Sequence, residues 1–228
     1  MPDYISGELL LINKPLYWTS FELVKRIKYE IQKKLNVKKL KVGHAGTLDP
    51  LATGLMIICT GKSTKQIEKY QNLPKEYITK IKLGSTTPSF DLETEIDKVF
   101  SVDHLTDSMI ADTINSFKGT YHQIPPVFSA KSIGGKRAYE HARKGKEINM
   151  SPSVVTVYEI TLIKYIKPIL EIKVLCSKGT YIRALARDIG IRLNSGAHLI
   201  ELKRSAIGEF KSDNALSFND FKNYLSFL

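Results

Sequence analysis

The chain has 228 residues, 43% of them hydrophobic, enough to bury a substantial core and too many for a disordered chain. Lysine and arginine total 34 against 23 acids, a formal charge of +11, which favours polyanionic partners, nucleic acid before anionic membrane. Cys59 and Cys176 lie far apart, each closing an apolar run, and read as buried thiols in a reducing compartment rather than as a disulfide or zinc framework. No signal-peptide pattern opens the sequence and no apolar stretch approaches membrane-spanning length, so a cytoplasmic protein is expected.

In chain order, LLLI at 9–12 reads as a short buried strand broken at Asn13-Lys14-Pro15. Apolar residues at 21, 24, 27, 31 and 35 have helical spacing, with Thr19 or Ser20 as N-cap. The outer face of that helix carries Lys25, Arg26, Lys28, Lys33 and Lys34. A Gly-rich loop, GHAGTLDPLATG at 43–54, leads into the strand LMIIC, and YITKIKL at 77–83 reads as another strand. Residues 89–112 invert the charge, with seven acids against one lysine, and read as a solvated loop and a helix start. Residues 123–146 are punctuated by proline and glycine and end strongly basic. Two strands are expected over 153–175, split at Lys167-Pro168. Then come a loop and helix over 176–193, a strand-like run at 198–210 and a short terminal helix. The irregular mixture favours an α+β fold with a mixed, mostly antiparallel sheet over a doubly wound one, in a single domain over 1–228.

Asp49 is the one acid between Glu30 and Glu68, in a window that also holds Lys33, Lys34, Lys38, Lys39, Lys41, Lys62 and Lys65. A turn residue before Pro50, or an N-cap, is the ordinary role of such an aspartate. Gly43, Gly46 and Gly54 allow unusual backbone angles or close approach of a ligand. A lone carboxylate is poorly suited to a two-metal site, but it can serve as nucleophile or general base if it is held and oriented. His44 adjoins the loop and can stack on, or hydrogen-bond to, a base. In CSKGTYIRALARDIG, Tyr181 and Arg183 fall in the first helical turn. An arginine there is disfavoured by the helix dipole, which suggests pairing with a carboxylate or phosphate. Arg187 reads as an ordinary charge beside Asp188. Tyr77 opens a strand and is either core or a ring that stacks on an extruded base. The basic stretch Lys131, Lys136, Arg137, Arg143, Lys144 and Lys146 would extend the phosphate-tracking face of the first helix.

Five segments together resemble the TruB family of pseudouridine synthases: GELLLINKPLYWTSFELVKRIK, VGHAGTLDPLATGLMIICTGKSTK, PKEYITKIKLGSTTPSFDLET, QIPPVFSAKSIGGKRAYEHAR and VLCSKGTYIRALARDIGIRLNSGAHLIELKRSAIGEF. They stand in family order over roughly residues 7 to 210. The resemblance implies a substrate, uridine 55 in the T stem-loop of tRNA, and a monomer. It implies Asp49 as the catalytic carboxylate, and His44, Tyr77, Tyr181, Arg183 and Leu202 as residues that shape the pocket or hold RNA. Small departures are GHAGTLDP for the commoner GHTGALDP, LKR at 202–204 for LRR, and Phe128 where many members place tyrosine. Many relatives carry a further C-terminal RNA-binding (PUA) domain, for which the chain stops too soon at Leu228.

The implied reaction breaks C1′–N1, turns the base and forms C1′–C5, so no cofactor or metal is required. Tyr77 would stack on the flipped base, Leu202 would form an apolar wall, and Arg183 would pair with Asp49. Whether Asp49 attacks C1′ or C6, or abstracts the 2′ proton, stays open. A non-catalytic RNA-binding module would explain the charge and aromatics equally well, and a nucleic-acid hydrolase with Asp49 as base is a third reading.

Overall fold

The computed structural model describes residues 2–129, 132–133, 136–138 and 149–227. Most of the basic stretch 131–146 thus lies outside the described residues. In chain order the elements begin β1 (Leu9–Lys14), α1 (Ser20–Leu35), β2 (Val42–His44), β3 (Ala52–Thr60), α2 (Ile67–Asn72) and β4 (Lys75–Leu83). Next are β5 (Ser85–Thr86), β6 (Lys98–Val99), α3 (Asp107–Asn115), β7 (Gly119–Gln123), β8 (Ser132–Ile133) and β9 (Lys136–Arg137). The rest are β10 (Ser153–Ile166), β11 (Ile169–Cys176), α4 (Ile182–Arg192), β12 (Ala197–Ile207), β13 (Phe210–Lys211), β14 (Leu216–Ser217) and α5 (Phe218–Phe227). The chain forms two compact units, Met1–Ile78 with Leu202–Leu228, and Thr79–Glu201.

In the first unit the strand order is β14, β1, β3, β12, β4, with β2 also on β3 and β13 on β12. The pairs β1–β3, β2–β3 and β12–β13 are antiparallel, while β1–β14 and β3–β12 are parallel. β3 is apolar nearly throughout because both its faces are covered. Leu55, Ile57 and Cys59 join Ala45 and Ile207 in one fully buried cluster, closed by Leu9, Leu11, Ile67, Tyr70 and Phe210. Met56 and Ile58, equally buried, point to the opposite face by strand alternation.

α1 starts where Thr19 accepts the Glu22 N–H at 3.0 Å, and ends at Asn36, whose N–H is donated to the carbonyls of Gln32 and Lys33. Its buried stripe is Ser20, Leu23, Ile27 and Ile31. Phe21, expected on that stripe, is 74% exposed. Leu23 takes the inward position, and a residue two places away on a helix points to the other side.

In the second unit β4, β11, β10 and β7 are neighbours in that order, and β10 is antiparallel to both β11 and β7. The two strands expected over 153–175 are β10 and β11. The stretch 89–112 is not uniformly solvated. Ser89 and Asp91 are buried, because hydrogen bonds to the Ser89 hydroxyl and the Asp91 carboxylate fold residues 89–94 inward. Cys59 and Cys176 are buried, as expected, and burial pushes the Cys59 thiol up to about 11. Among the described residues no helix is long and apolar enough to cross a membrane. The mixed, mostly antiparallel sheet with its helices is the α+β class expected.

Ile57→Ala should remove a fully buried side chain from the first unit's cluster and destabilise the chain by about 2–5 kcal/mol, read as a lower denaturant midpoint.

Candidate active site

The Asp49 loop makes few ladder hydrogen bonds, so its carbonyls need donors from elsewhere. Three buried polar side chains of the first unit supply them. Arg204 on β12 is 1% exposed and donates to the carbonyls of Leu55 at 2.7 Å, Thr47 at 3.3 Å and Gly46 at 3.2 Å. The Ser20 hydroxyl, at the start of α1, donates to the Leu48 carbonyl at 2.9 Å and accepts the Leu48 N–H at 2.8 Å. Lys14, at the end of β1, donates to the carbonyls of Trp18 at 2.7 Å, Pro15 at 2.9 Å and Pro50 at 3.4 Å. Two further bonds close the turn around Asp49, Tyr17 N–H to the Pro50 carbonyl at 2.8 Å and Ala52 N–H to the Asp49 carbonyl at 3.0 Å.

Gly54 makes the frame possible. Its φ is 105°, and a Cβ there would lie 2.3 Å from the Arg204 carbonyl oxygen. That close approach lets β12 pair with β3 in the register Leu202↔Ala52, Lys203↔Thr53, Arg204↔Gly54. Leu202 is thereby buried beside the C-terminal end of the loop.

The electrostatics follow from burial. Lys14 is pushed down from 10.5 to about 8, first by burial, with Arg204 acting the same way and Asp49 opposing. The Asp49 carboxylate, half-buried, therefore offsets part of the cost of an interior ammonium. His44 on β2 is half-buried, and its pKa is lowered by burial, with the Gly46 backbone opposing and Arg204 adding to the shift. The imidazole is thus held towards its neutral form, and its buried Nδ1 has no hydrogen-bond partner among the described residues. Tyr77 lies at a buried position of β4, whose burial alternates with period two. Among the described residues no group of three or more His, Cys, Asp or Glu could hold a metal ion.

The first unit thus carries His44, Asp49, Tyr77 and Leu202, and the second carries Tyr181 and Arg183. Tyr181 is the N-cap residue of α4. Gln123 clasps its backbone, accepting the Tyr181 N–H at 2.8 Å and donating to its carbonyl at 3.1 Å. Arg183 is buried in the first turn of α4, with Asp91 3.5 Å away as an ion-pair partner within the unit and the Ser89 carbonyl at 3.3 Å. A carboxylate partner for Arg183 was legible from the dipole argument; Asp91 as one was not. Arg187 hydrogen-bonds to Asp188 at 2.7 and 2.8 Å, the ordinary pairing expected.

A family model described as TruB family pseudouridylate synthase (N terminal domain) matches residues 32–182, and one described as tRNA pseudouridylate synthase B C-terminal domain matches residues 183–227. The chain is 55% identical over 223 residues to the tRNA pseudouridine synthase B of Parabacteroides distasonis, covering 98% of this chain and 95% of that one. It is 47% identical over 224 residues to that of Flavobacterium johnsoniae, covering 98% of each. Among solved structures it is similar to a chain of a Cbf5-Nop10-Gar1 complex, at 26% identity and a TM-score of 0.73, covering 98% of this chain and 56% of that one. A chain of an H/ACA RNP bound to a substrate RNA containing 2′-deoxyuridine is similar at 25% identity and a TM-score of 0.69, with 98% and 55% covered. The chain therefore spans a little over half the length of those solved chains. These matches define a pseudouridylate synthase. More narrowly, the chain belongs to the TruB family.

Two outcomes test the frame. Ser20→Ala leaves the buried Leu48 N–H and carbonyl without their partner, and should cost about 1–3 kcal/mol in denaturant unfolding. Lys14 binds its proton less tightly when folded, so between pH 8 and 10.5 the unfolded chain holds more protons. Stability from this group should therefore rise with pH across that window and stay flat below it. The stability difference between wild type and Lys14→Met, followed against pH, should show that rise.

Proposed function

We propose that the protein isomerises uridine 55 in the T stem-loop of tRNA to pseudouridine, with Asp49 as the catalytic carboxylate. The observation that carries this reading is the frame around Asp49. Three buried polar side chains fix the surrounding backbone while the carboxylate itself stays half-exposed. Relatives about half identical over nearly the whole chain are named tRNA pseudouridine synthase B, which supports tRNA as the substrate class.

The chemistry is balanced without a co-reactant. The C1′–N1 bond breaks, the freed uracil turns, C1′–C5 forms, and the C5 proton leaves to solvent while N1 gains one. The target base must first leave its stack, at a cost of a few kcal/mol. Asp49 acts on the ribose or the base. Tyr77 supplies a face for stacking, Leu202 an apolar wall, and neutral His44 a hydrogen-bonding edge. Tyr181 and Arg183 complete the substrate-binding set that the family resemblance implies. The lysines of α1 attract phosphate and make binding salt-dependent.

The test uses a T-arm stem-loop RNA carrying tritium at C5 of its uridines, with EDTA present. Wild type should release the label from one uridine per RNA. Asp49→Asn should bind the same RNA and release label at least about 10²-fold more slowly. Binding by wild type without release would leave an RNA-binding module instead, and free uracil among the products would indicate a hydrolase.

A further inference from the structure

Tyr17 has a φ of 68°, in the left-handed region that a bulky side chain rarely adopts. The other described non-glycine residues with positive φ are accounted for inside the fold. Asn36 caps α1, and asparagine is among the residues that tolerate this region, which covers Asn194 as well. Phe90 is covered by the Arg187 guanidinium 5.0 Å from its ring centroid, and its N–H and carbonyl are both hydrogen-bonded.

Tyr17 has no such account. Its side chain is 74% exposed, so burial offsets nothing. What fixes it is its own N–H, donated to the carbonyl of Pro50, the residue after Asp49. The ring is thus held out in water on a backbone tied to the Asp49 loop. Phe21, four residues on at the start of α1, is also 74% exposed. Lys25 and Arg26 stand exposed on the next turn, with the Arg26 guanidinium 4.2 Å from the Trp18 ring centroid and paired with Glu22. Two exposed aromatic rings in one segment, with Lys25 exposed on the helix that follows and the Tyr17 backbone tied to the Asp49 loop, match a flat base on a phosphate backbone.

We propose that Tyr17 is a stacking platform for an unpaired base of the RNA substrate near the target uridine, with Phe21 as the second ring of the same segment. This rests on the synthase reading above. Tyr17 binds substrate and takes no part in the bond changes.

The experiment compares wild type, Tyr17→Gly and Tyr17→Phe on the tritiated T-arm stem-loop, with melting temperatures measured in parallel. Glycine removes the ring and relieves the backbone, so Tm should hold or rise by up to about 4 °C. The loss should fall in KM rather than kcat, by about 5- to 150-fold, the range for one base–aromatic stack. Tyr17→Phe should restore KM. An abasic substitution at the stacked loop position should weaken wild type and leave Tyr17→Gly unmoved. An unchanged KM in Tyr17→Gly, a fall in its Tm, or a loop in which no abasic position removes the difference would each overturn the platform. If wild type releases no label, the synthase reading fails by itself. The platform is then read in Kd for the same RNA, where equal affinities of wild type and Tyr17→Gly overturn it.

Discussion

The backbone of a glycine-rich loop, folded without a regular ladder, must find hydrogen-bond donors, and that constraint organises the first unit. Lys14, Ser20 and Arg204 answer it from three different elements, β1, α1 and β12. Each can do so only because its element is packed in one phase and one register. A one-residue slip of β12 on β3 would turn Arg204 away from the loop. Core packing and loop geometry are therefore a single requirement, set by the cluster of Leu55, Ile57, Cys59 and Ile207.

Two of the three donors are cations, and interior cations are costly unless hydrogen-bonded or matched by an anion. The Lys14 ammonium has three carbonyls and the field of Asp49. This gives the lone acid of the 31–67 stretch a structural role alongside its proposed chemical one. The carboxylate eases the burial of the cation that helps fix its own backbone. A neutral residue at position 49 would remove that compensation as well as any reactivity.

Much of the fold was legible because it is local. The capping of α1 by Thr19, the apolar run of β3, the alternation of β4 and the break at Lys167-Pro168 all follow from spacing and residue type. The phase of α1 was misread at Phe21 because Leu23 and Phe21 compete for the stripe, and hydrophobicity alone ranks them equally. Lys14, Ser20 and Arg204 were missed although they carry a signal. Lys14 lies two residues from Ile12, Arg204 two from Leu202, and Ser20 three from Leu23, so each is a polar residue in core phase. The parallel pairing of β3 with β12 joins residues about 150 apart, and no local pattern specifies it. Asp91 was hidden in a run of acids whose neighbours are mostly exposed, and only the fold of residues 89–94 separates it from them.

Polar or strained residues that break a local rule divide by where the compensation lies. Lys14 and Arg204 break the rule against buried charge, and carbonyls inside the first unit compensate them. Phe90 breaks the rule against positive φ in a bulky residue, and contacts inside the second unit compensate it. Tyr17 breaks the same rule at a cost of about 1–2 kcal/mol, and its side chain finds no compensation among the described residues. Its backbone hydrogen bond to Pro50 would form as readily from glycine, so that bond explains the turn and not the ring. On the stacking proposal, the benefit of the ring lies with a bound partner. The Tyr17 backbone is tied to Pro50, the residue after Asp49, and Lys25 and Arg26 stand exposed on the helix that follows, so a nucleic acid bound at the proposed site is the molecule best suited to supply that benefit.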